Sequence, residues 1–202
     1  MNKQMMKQGL RQSIIAARQN MAAAERAEHS RAITLSLLQL PDFKESATVL
    51  GYMSFGAEFD TGAWLRQAMK DGKKVLLPKV NVSTKQLEIF QVNDLLNDLA
   101  PGAWNILEPL PERCGMVSEH EKIDFVLLPG VAFGRDGSRL GYGGGFYDKL
   151  LARIASESVV RKPALAAAAF STQLVADIPQ EATDRRVEWL ITEQEVIHCN
   201  SA

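Results

Sequence analysis

Two neighbouring stretches decide how this chain folds. The first is Asp124-Phe125-Val126-Leu127-Leu128-Pro129. A few residues later comes Gly134-Arg135-Asp136-Gly137-Ser138-Arg139-Leu140-Gly141-Tyr142-Gly143-Gly144-Gly145-Phe146-Tyr147-Asp148. The apolar run reads as a strand buried in the middle of a sheet. The glycine-rich run leaves that strand and enters a helix expected from Phe146 to about Ser156, the place where open α/β sheets bind ligands. Six glycines within twelve residues let the backbone approach an anion closely and turn its N–H groups inward. The unpaired N–H groups of the helix start add partial positive charge. Arg139 can grip phosphate oxygens with a bidentate fork. A tight structural turn needs one or two glycines, so a phosphate or carboxylate site is the favoured reading. The run has no GxxxxGK[ST] pattern and does not match GxGxxG, which sets aside a P-loop and a dinucleotide site.

Outward from this centre, residues 3–20 have helical periodicity, with Met6, Leu10, Ile14 and Ala17 spaced as one face. A second helix is expected over Ala24–Leu40, with Ile33, Leu37 and Leu40 inward and Pro41 as its stop. Ala47–Met53 reads as the first strand. Asp60 or Thr61 can cap a helix over Gly62–Lys70, with Gly72 as its stop. Lys74–Val80 and Gln86–Phe90 read as strands, Asn93–Leu99 as a short helix and Pro101–His120 as a long ordered loop. Ala164–Phe170 and Val187–Thr192 read as the last strands. Strands alternating with helices predict an α/β chain with a mostly parallel sheet covered by helices on both faces. One domain over residues 1–202 is expected, with a helical N-terminal arm.

The 202 residues, 46% of them apolar, suffice for a core without metal or disulfide. A net charge of −1 gives no bulk attraction to nucleic acid or an anionic membrane. Cys114 and Cys199 read as reduced thiols, and no apolar stretch is long enough for a membrane span. A cytoplasmic location is expected. His29, His120 and His198 stand apart from one another and read as surface positions.

The segment from Arg139 to Asp148 resembles the signature of the 5-formyltetrahydrofolate cyclo-ligase family (methenyltetrahydrofolate synthetases). Lys7 and Arg11 match that family's basic pair on the first helix. Met53–Thr61 is similar to its substrate segment, and Trp104-Asn105-Ile106 with Glu108-Pro109 to its middle loop. Thr183 stands where many relatives carry His, and Phe146 where Tyr is common.

The resemblance implies a three-layer fold akin to sugar-phosphate isomerases and CoA transferases. It also implies conversion of 5-formyltetrahydrofolate and ATP to methenyltetrahydrofolate, ADP and phosphate, with Mg2+. Lys7, Arg11 and Arg139 would neutralise triphosphate oxygens. Leu140, Gly141, Gly143, Gly144, Gly145, Phe146 and Tyr147 would complete the ATP site. Met53, Glu58, Trp104, Tyr142 and Tyr147 would meet the folate, and Asp148 and Asp184 the metal. The partners implied are a reduced folate and ATP, with no nucleic acid, no membrane and a monomeric enzyme.

Each residue has a plainer reading. Lys7 and Arg11 would suit a solvated helix face, and Glu58 a surface acid. Met53 would suit core packing, Trp104 a buried loop anchor and Tyr147 packing at the helix start. Asp148 could only complement the helix dipole, and Asp184 only cap a turn. Lys73, Lys74 and Lys79 could attract an acidic tail or merely solubilise a strand. Rival functions are another enzyme on the same scaffold, or a folate-binding protein without turnover.

Overall fold

The structure is a computed structural model that describes residues 2–118, 121–157, 162–181 and 184–199. Its helices are α1 (Lys3–Asn20), α2 (Ala23–Gln39), α3 (Pro41–Glu45), α4 (Gly62–Lys70) and α5 (Phe146–Glu157). The strands begin with β1 (Thr48–Leu50), β2 (Lys74–Asn81), β3 (Gln86–Gln91), β4 (Leu99–Pro101), β5 (Leu107–Pro109) and β6 (Gly115–Met116). They continue with β7 (Phe125–Leu128), β8 (Ala132–Gly134), β9 (Arg139–Leu140), β10 (Ala164–Ala168), β11 (Leu174–Val175), β12 (Trp189–Ile191) and β13 (Val196–His198).

Among the described residues, eight strands share one sheet in the order β13-β12-β10-β7-β1-β2-β3-β6. The five central strands run parallel. Period-two alternation sorts their side chains onto two faces. Val49, Val75, Leu77, Phe125, Leu127 and Ala166 point to one face, where they meet Ile33 and Leu37 of α2, Phe43 of α3 and Trp64 and Leu65 of α4. Leu50, Leu76, Val126, Leu128 and Ala167 point to the other, where they meet Leu150 and Leu151 of α5. The result is the expected mixed α/β arrangement, with helices on both faces of a mostly parallel sheet.

The sheet edges are antiparallel: β3 and β13 follow β2 and β12 by short returns that leave no room for a crossover helix, and β6 comes back antiparallel to β3 after the β4–β5 hairpin. From β1 the chain crosses through α4 to β2. From β7 it crosses through α5 to β10, on the opposite side. Since β1 and β7 are neighbours, paired at Leu50 and Val126, their carboxyl ends mark the point where the winding reverses. The loops that leave them must therefore meet.

Several expectations need correction. The first strand is confined to Thr48–Leu50, because Ser54 and Thr61 tie the following segment into a loop by reciprocal hydrogen bonds. Thr61 takes the N-cap position of α4 without a side-chain bond, and Asp60 before it accepts from Gly62 N at 2.9 Å. Pro41 ends α2 but also opens α3. Asn93–Leu99 is a turn, not a helix. There Asp98 accepts from the backbone N–H groups of Asn93 and Asp94, and Asp94 from that of Leu96; one helical bond forms, from Asp98 N to Asp94 O, and goes no further because the chain pairs with β5 from Leu99 on. The described part of the predicted loop over residues 101–120 contains the β4–β5 hairpin and β6; His120 lies outside the described residues. Between β7 and α5 the chain first makes the β8–β9 hairpin.

Phe125 sits at the centre of this packing, with no exposed surface. Its ring lies 5.7 Å from that of Phe43 and 6.1 Å from that of Trp64. Phe125→Ala is expected to cost about 3–5 kcal/mol, read as a lower urea midpoint at an unchanged m-value.

Candidate active site

The N-terminal helix supplies one wall. Lys7, Arg11, Ile14 and Arg18 succeed one another at steps of three or four residues and so share a face of α1. Lys7, Ile14 and Arg18 are its buried residues, whereas Met6 is 40% exposed. Of the expected apolar face, Leu10 and Ile14 dock while Met6 and Ala17 stay exposed, and the docked face takes in Lys7 and Arg18 as well. Ile14 anchors the helix against Val131, Ala132, Leu140 and Ile178, and the charges beside it reach the loops. Burial of Lys7 also excludes a solvated helix face for that residue.

Lys7 Nζ donates to Glu181 Oε1 at 3.0 Å and to Asp184 Oδ2 at 3.2 Å. Burial pulls the Lys7 ammonium down, but its bonds to Glu181 and Asp184 outweigh this and leave it above its ordinary range. Asp184 also accepts from Glu181 N at 2.9 Å, so it closes a turn as well as an ion pair. Thr183 lies outside the described residues. Arg11 Nε donates to Gly141 O at 2.8 Å and lies against Gly143. Gly143 has φ +103°, a conformation side chains rarely adopt.

The β8–β9 hairpin positions Arg139. Its turn needs Gly137, with φ +82°, where an added Cβ would stand 2.3 Å from Val187 O. Arg139 is buried, donating through Nη1 to Pro129 O at 3.2 Å and through Nη2 to Asp148 Oδ1 at 2.6 Å. Asp148 lies in the first turn of α5. The side chain of Leu140 belongs to the small core around Ile14, leaving only its backbone to face a ligand.

From the β1 side comes Glu58, buried rather than on the surface. Its Oε2 accepts from Phe55 N at 3.1 Å, across a turn made at Gly56 with φ +60°. Its Oε1 accepts from the Tyr142 hydroxyl, which in turn accepts from Arg18 Nη2 at 2.8 Å. Burial pushes the Glu58 carboxyl up, opposed by the Tyr142 bond, the Arg18 charge and the Phe55 N–H. Burial, with the Glu58 charge behind it, also pushes up the phenols of Tyr52, Tyr142 and Tyr147. These hydroxyls therefore keep their protons at neutral pH.

The rim is aromatic. Phe55 lies 5.2 Å from Tyr142, and Trp104 meets Phe146 edge-on at 5.9 Å. Trp104 is 69% exposed, which rules out a buried anchor. It and Asn105 adopt left-handed φ values of 54° and 61° in the turn between β4 and β5. Met53 and Tyr147 are half-buried against the core. Glu108 has a structural position, accepting from Val80 N at 3.2 Å and pairing with Lys79. Lys74 pairs with Glu121, and Lys73 donates to the carbonyls of Lys44 and Ser46. Lys73 and Lys74 thus stand at the amino end of β2, away from the site. His29 is half-buried beside Glu193, and His198 is exposed against Trp189.

Cations on an N-terminal helix, a glycine loop and a buried glutamate thus converge at the switch between β1 and β7. Residues 3–193 match the 5-formyltetrahydrofolate cyclo-ligase family. The chain belongs to that family. The mitochondrial 5-formyltetrahydrofolate cyclo-ligase of Arabidopsis thaliana is 32% identical over 190 residues, covering 85% of this chain and 68% of the relative. The Mus musculus 5-formyltetrahydrofolate cyclo-ligase is 28% identical over 193 residues, covering 93% of each chain. The solved structure of Aquifex aeolicus 5,10-methenyltetrahydrofolate synthetase superposes with a TM-score of 0.81 at 31% identity, covering 98% of this chain and 94% of that one. A Mycoplasma pneumoniae 5,10-methenyltetrahydrofolate synthetase, at 20% identity and a TM-score of 0.71, shares the fold. The cyclo-ligases are ligases, so the chain is an enzyme of that class. Among the described residues, no helix is long and apolar enough to cross a membrane.

Sequence reasoning overlooked Arg18, Tyr52 and Glu181. The signal for Arg18 was present, since it continues the Lys7–Arg11 stripe by two further helical turns. Tyr52 and Glu181 left no comparable pattern, because only the folded loops bring them near charge.

Removal of Arg139 would strand Asp148 and the Pro129 carbonyl. Arg139→Ala is therefore expected to cost about 3–5 kcal/mol of stability as well as function, read by urea unfolding. Arg139→Lys, which keeps the charge, is expected to lose less.

Proposed function

We propose that this site converts 5-formyltetrahydrofolate to 5,10-methenyltetrahydrofolate, with ATP cleaved to ADP and phosphate. The observation that carries the reading is the convergence of Lys7, Arg11 and Arg139 on the glycine loop, beside a buried carboxylate and an aromatic rim. Phosphoryl transfer depends chiefly on positioning and charge neutralisation, and these cations with the loop N–H groups supply both. Leu140 contributes backbone alone, while Gly141, Gly143, Gly144, Gly145, Phe146 and Tyr147 line the nucleotide's approach. Glu58 accepts from the N–H groups of the pterin. Met53, Tyr142, Tyr147 and Trp104 offer it flat or apolar contact.

In the resting site, Lys7 and Arg139 are each matched by a carboxylate, Asp184 and Asp148. On binding, both cations pass to phosphate oxygens, and the carboxylates they leave are the ones that would hold Mg2+. No charge is then buried alone. A carboxylate with phosphate oxygens suits Mg2+, which seldom takes an all-protein cage. The ion would offset negative charge on the triphosphate.

The formyl oxygen attacks the γ-phosphorus as the bond to the β-phosphate oxygen breaks, and ADP leaves. The second folate nitrogen then attacks the activated carbon and closes the five-membered ring, and phosphate leaves carrying the proton that this nitrogen gives up. The enzyme acts on small molecules as a cytoplasmic monomer, without nucleic acid or membrane. The parallel core with helices on both faces supports kinship with sugar-phosphate isomerases and CoA transferases.

Absorbance of the methenyl product is expected to appear only when Mg-ATP accompanies 5-formyltetrahydrofolate, with equimolar ADP. Folate binding without product would point instead to a binding protein. In the active enzyme, Glu58→Gln is expected to weaken folate binding about ten- to a hundredfold. The KM for ATP is expected to change far less; equal effects on both substrates would remove Glu58 from the folate site.

A further inference from the structure

Arg18 is the charged residue at the site for which the reaction proposed above has no assigned use. Its side chain is 4% exposed, an environment that guanidinium groups enter only with a partner. Nη2 donates to the Tyr142 hydroxyl, and Nη1 stands 3.9 Å from Glu58 Oε1. The Tyr142 hydroxyl donates in turn to Glu58, so arginine, phenol and carboxylate form a chain from α1 across the glycine loop to the segment after β1. Nε is buried without a hydrogen-bond partner. Arg18 is thus tied to the site through one end of its fork, with Glu58 as the nearby negative charge.

We propose that Arg18 is the positioning residue for Glu58: it compensates and aims the buried carboxylate through the Tyr142 hydroxyl, without touching the substrate. The inference rests on the reading of Glu58 as the acceptor for folate N–H groups. Both oxygens of a carboxyl group are free to accept such bonds only while it is ionised, and burial works against ionisation. Arg18 supplies the fixed positive charge that works for it. The other titratable groups facing Glu58 are Tyr52, Tyr142 and Tyr147. All three are neutral at the pH where the carboxyl titrates, which leaves Arg18 as the compensating charge among these neighbours.

Tyr142 has a complementary part. Its hydroxyl holds Glu58 Oε1 in the resting site. A pterin N–H can join the phenol on this oxygen, which has a second lone pair to offer, so Arg18 stays linked to the carboxylate through the phenol. The carboxylate therefore keeps a hydrogen-bond donor both before and after substrate arrives.

The test compares three substitutions by isotope-edited NMR of the glutamate side-chain carboxyls, with Glu58→Gln assigning the resonance. Arg18→Gln removes the charge but keeps a donor for Tyr142, Arg18→Lys keeps the charge, and Tyr142→Phe removes the linker. In Arg18→Gln the Glu58 titration midpoint is expected to rise by about one pH unit. It is expected to stay near wild type in Arg18→Lys and to move only slightly in Tyr142→Phe. In parallel, 5-formyltetrahydrofolate affinity is expected to fall about tenfold at neutral pH in Arg18→Gln. Its acid limb should move to higher pH, while ATP affinity is unchanged. In a Glu58→Gln background, Arg18→Gln is expected to add no further loss.

Identical behaviour of the Gln and Lys variants, or independent losses in the double variant, would show that Arg18 only packs the helix and would overturn the proposal. A shifted midpoint in a protein whose wild type fails to bind the folate would uphold the Arg18–Glu58 coupling and overturn the substrate reading instead.

Discussion

Buried charge must be matched, and this constraint shapes one whole edge of the molecule. Lys7, Arg18, Glu58 and Arg139 are all less than a tenth exposed, and an unpaired ion in such surroundings would cost several kcal/mol. Each has a partner contributed by a different part of the chain. Lys7 is held by the segment before β12, Arg18 by the glycine loop, Glu58 by the turn at Gly56, and Arg139 by the first turn of α5. The docking of α1, the shape of the glycine loop and the turn after β1 are therefore mutually dependent. Ile14 and its few apolar neighbours supply the short-range packing, while the ionic contacts fix where the helix must sit.

The central architecture was legible because its signals are local. Phe125–Leu128 and Ala164–Ala168 are continuous apolar runs, and nothing but a doubly covered strand suits such a run at that length. Lys74–Asn81 and the helix beginning at Phe146 likewise emerged close to their expected bounds. The failures share a cause of their own. At Asn93–Leu99 a single helical bond forms, from Asp98 N to Asp94 O, and the pattern is cut short because Leu99–Pro101 pairs with β5. The β4–β5 hairpin turns on Trp104 and Asn105 in left-handed conformations, which the sequence does not advertise with glycine. The last strand, β13, is three residues long and depends on pairing with β12, a contact invisible to periodicity.

At the site the division is different. The glycine run announced an anion site by composition, and its neighbours Arg139 and Asp148 are indeed bonded to one another. Glu58 offered no such sign: nothing in Phe55-Gly56-Ala57-Glu58 shows that the carboxylate turns inward. It does so because Gly56 permits the left-handed turn and because Phe55 N, Tyr142 and Arg18 are waiting there. On α1, Leu10 and Ile14 pack on β8 and β9 while Met6 stays exposed, and the rest of the surface this helix meets is a ring of loops with polar groups. A polar partner selects the polar stripe.

The use of an added helix follows from the chemistry of the sheet itself. The buried middles of doubly covered strands cannot carry Lys or Arg, since no water or counter-charge reaches them there. Their carboxyl ends can offer backbone N–H groups and, through the loops, an occasional side chain such as Arg139. A triphosphate needs more positive charge than that, and it must arrive without unfolding the core. Helix α1 satisfies both conditions. It lies outside the strand order and touches β8, β9 and the loops rather than the main sheet's two cores. From one face it presents Lys7 and Arg11 on one side of Ile14 and Arg18 on the other. The spacing of the stripe thus separates two tasks along a single helix, with the cations nearer the N-terminus beside the Gly141–Gly145 run and Asp184, and the one further along beside Glu58.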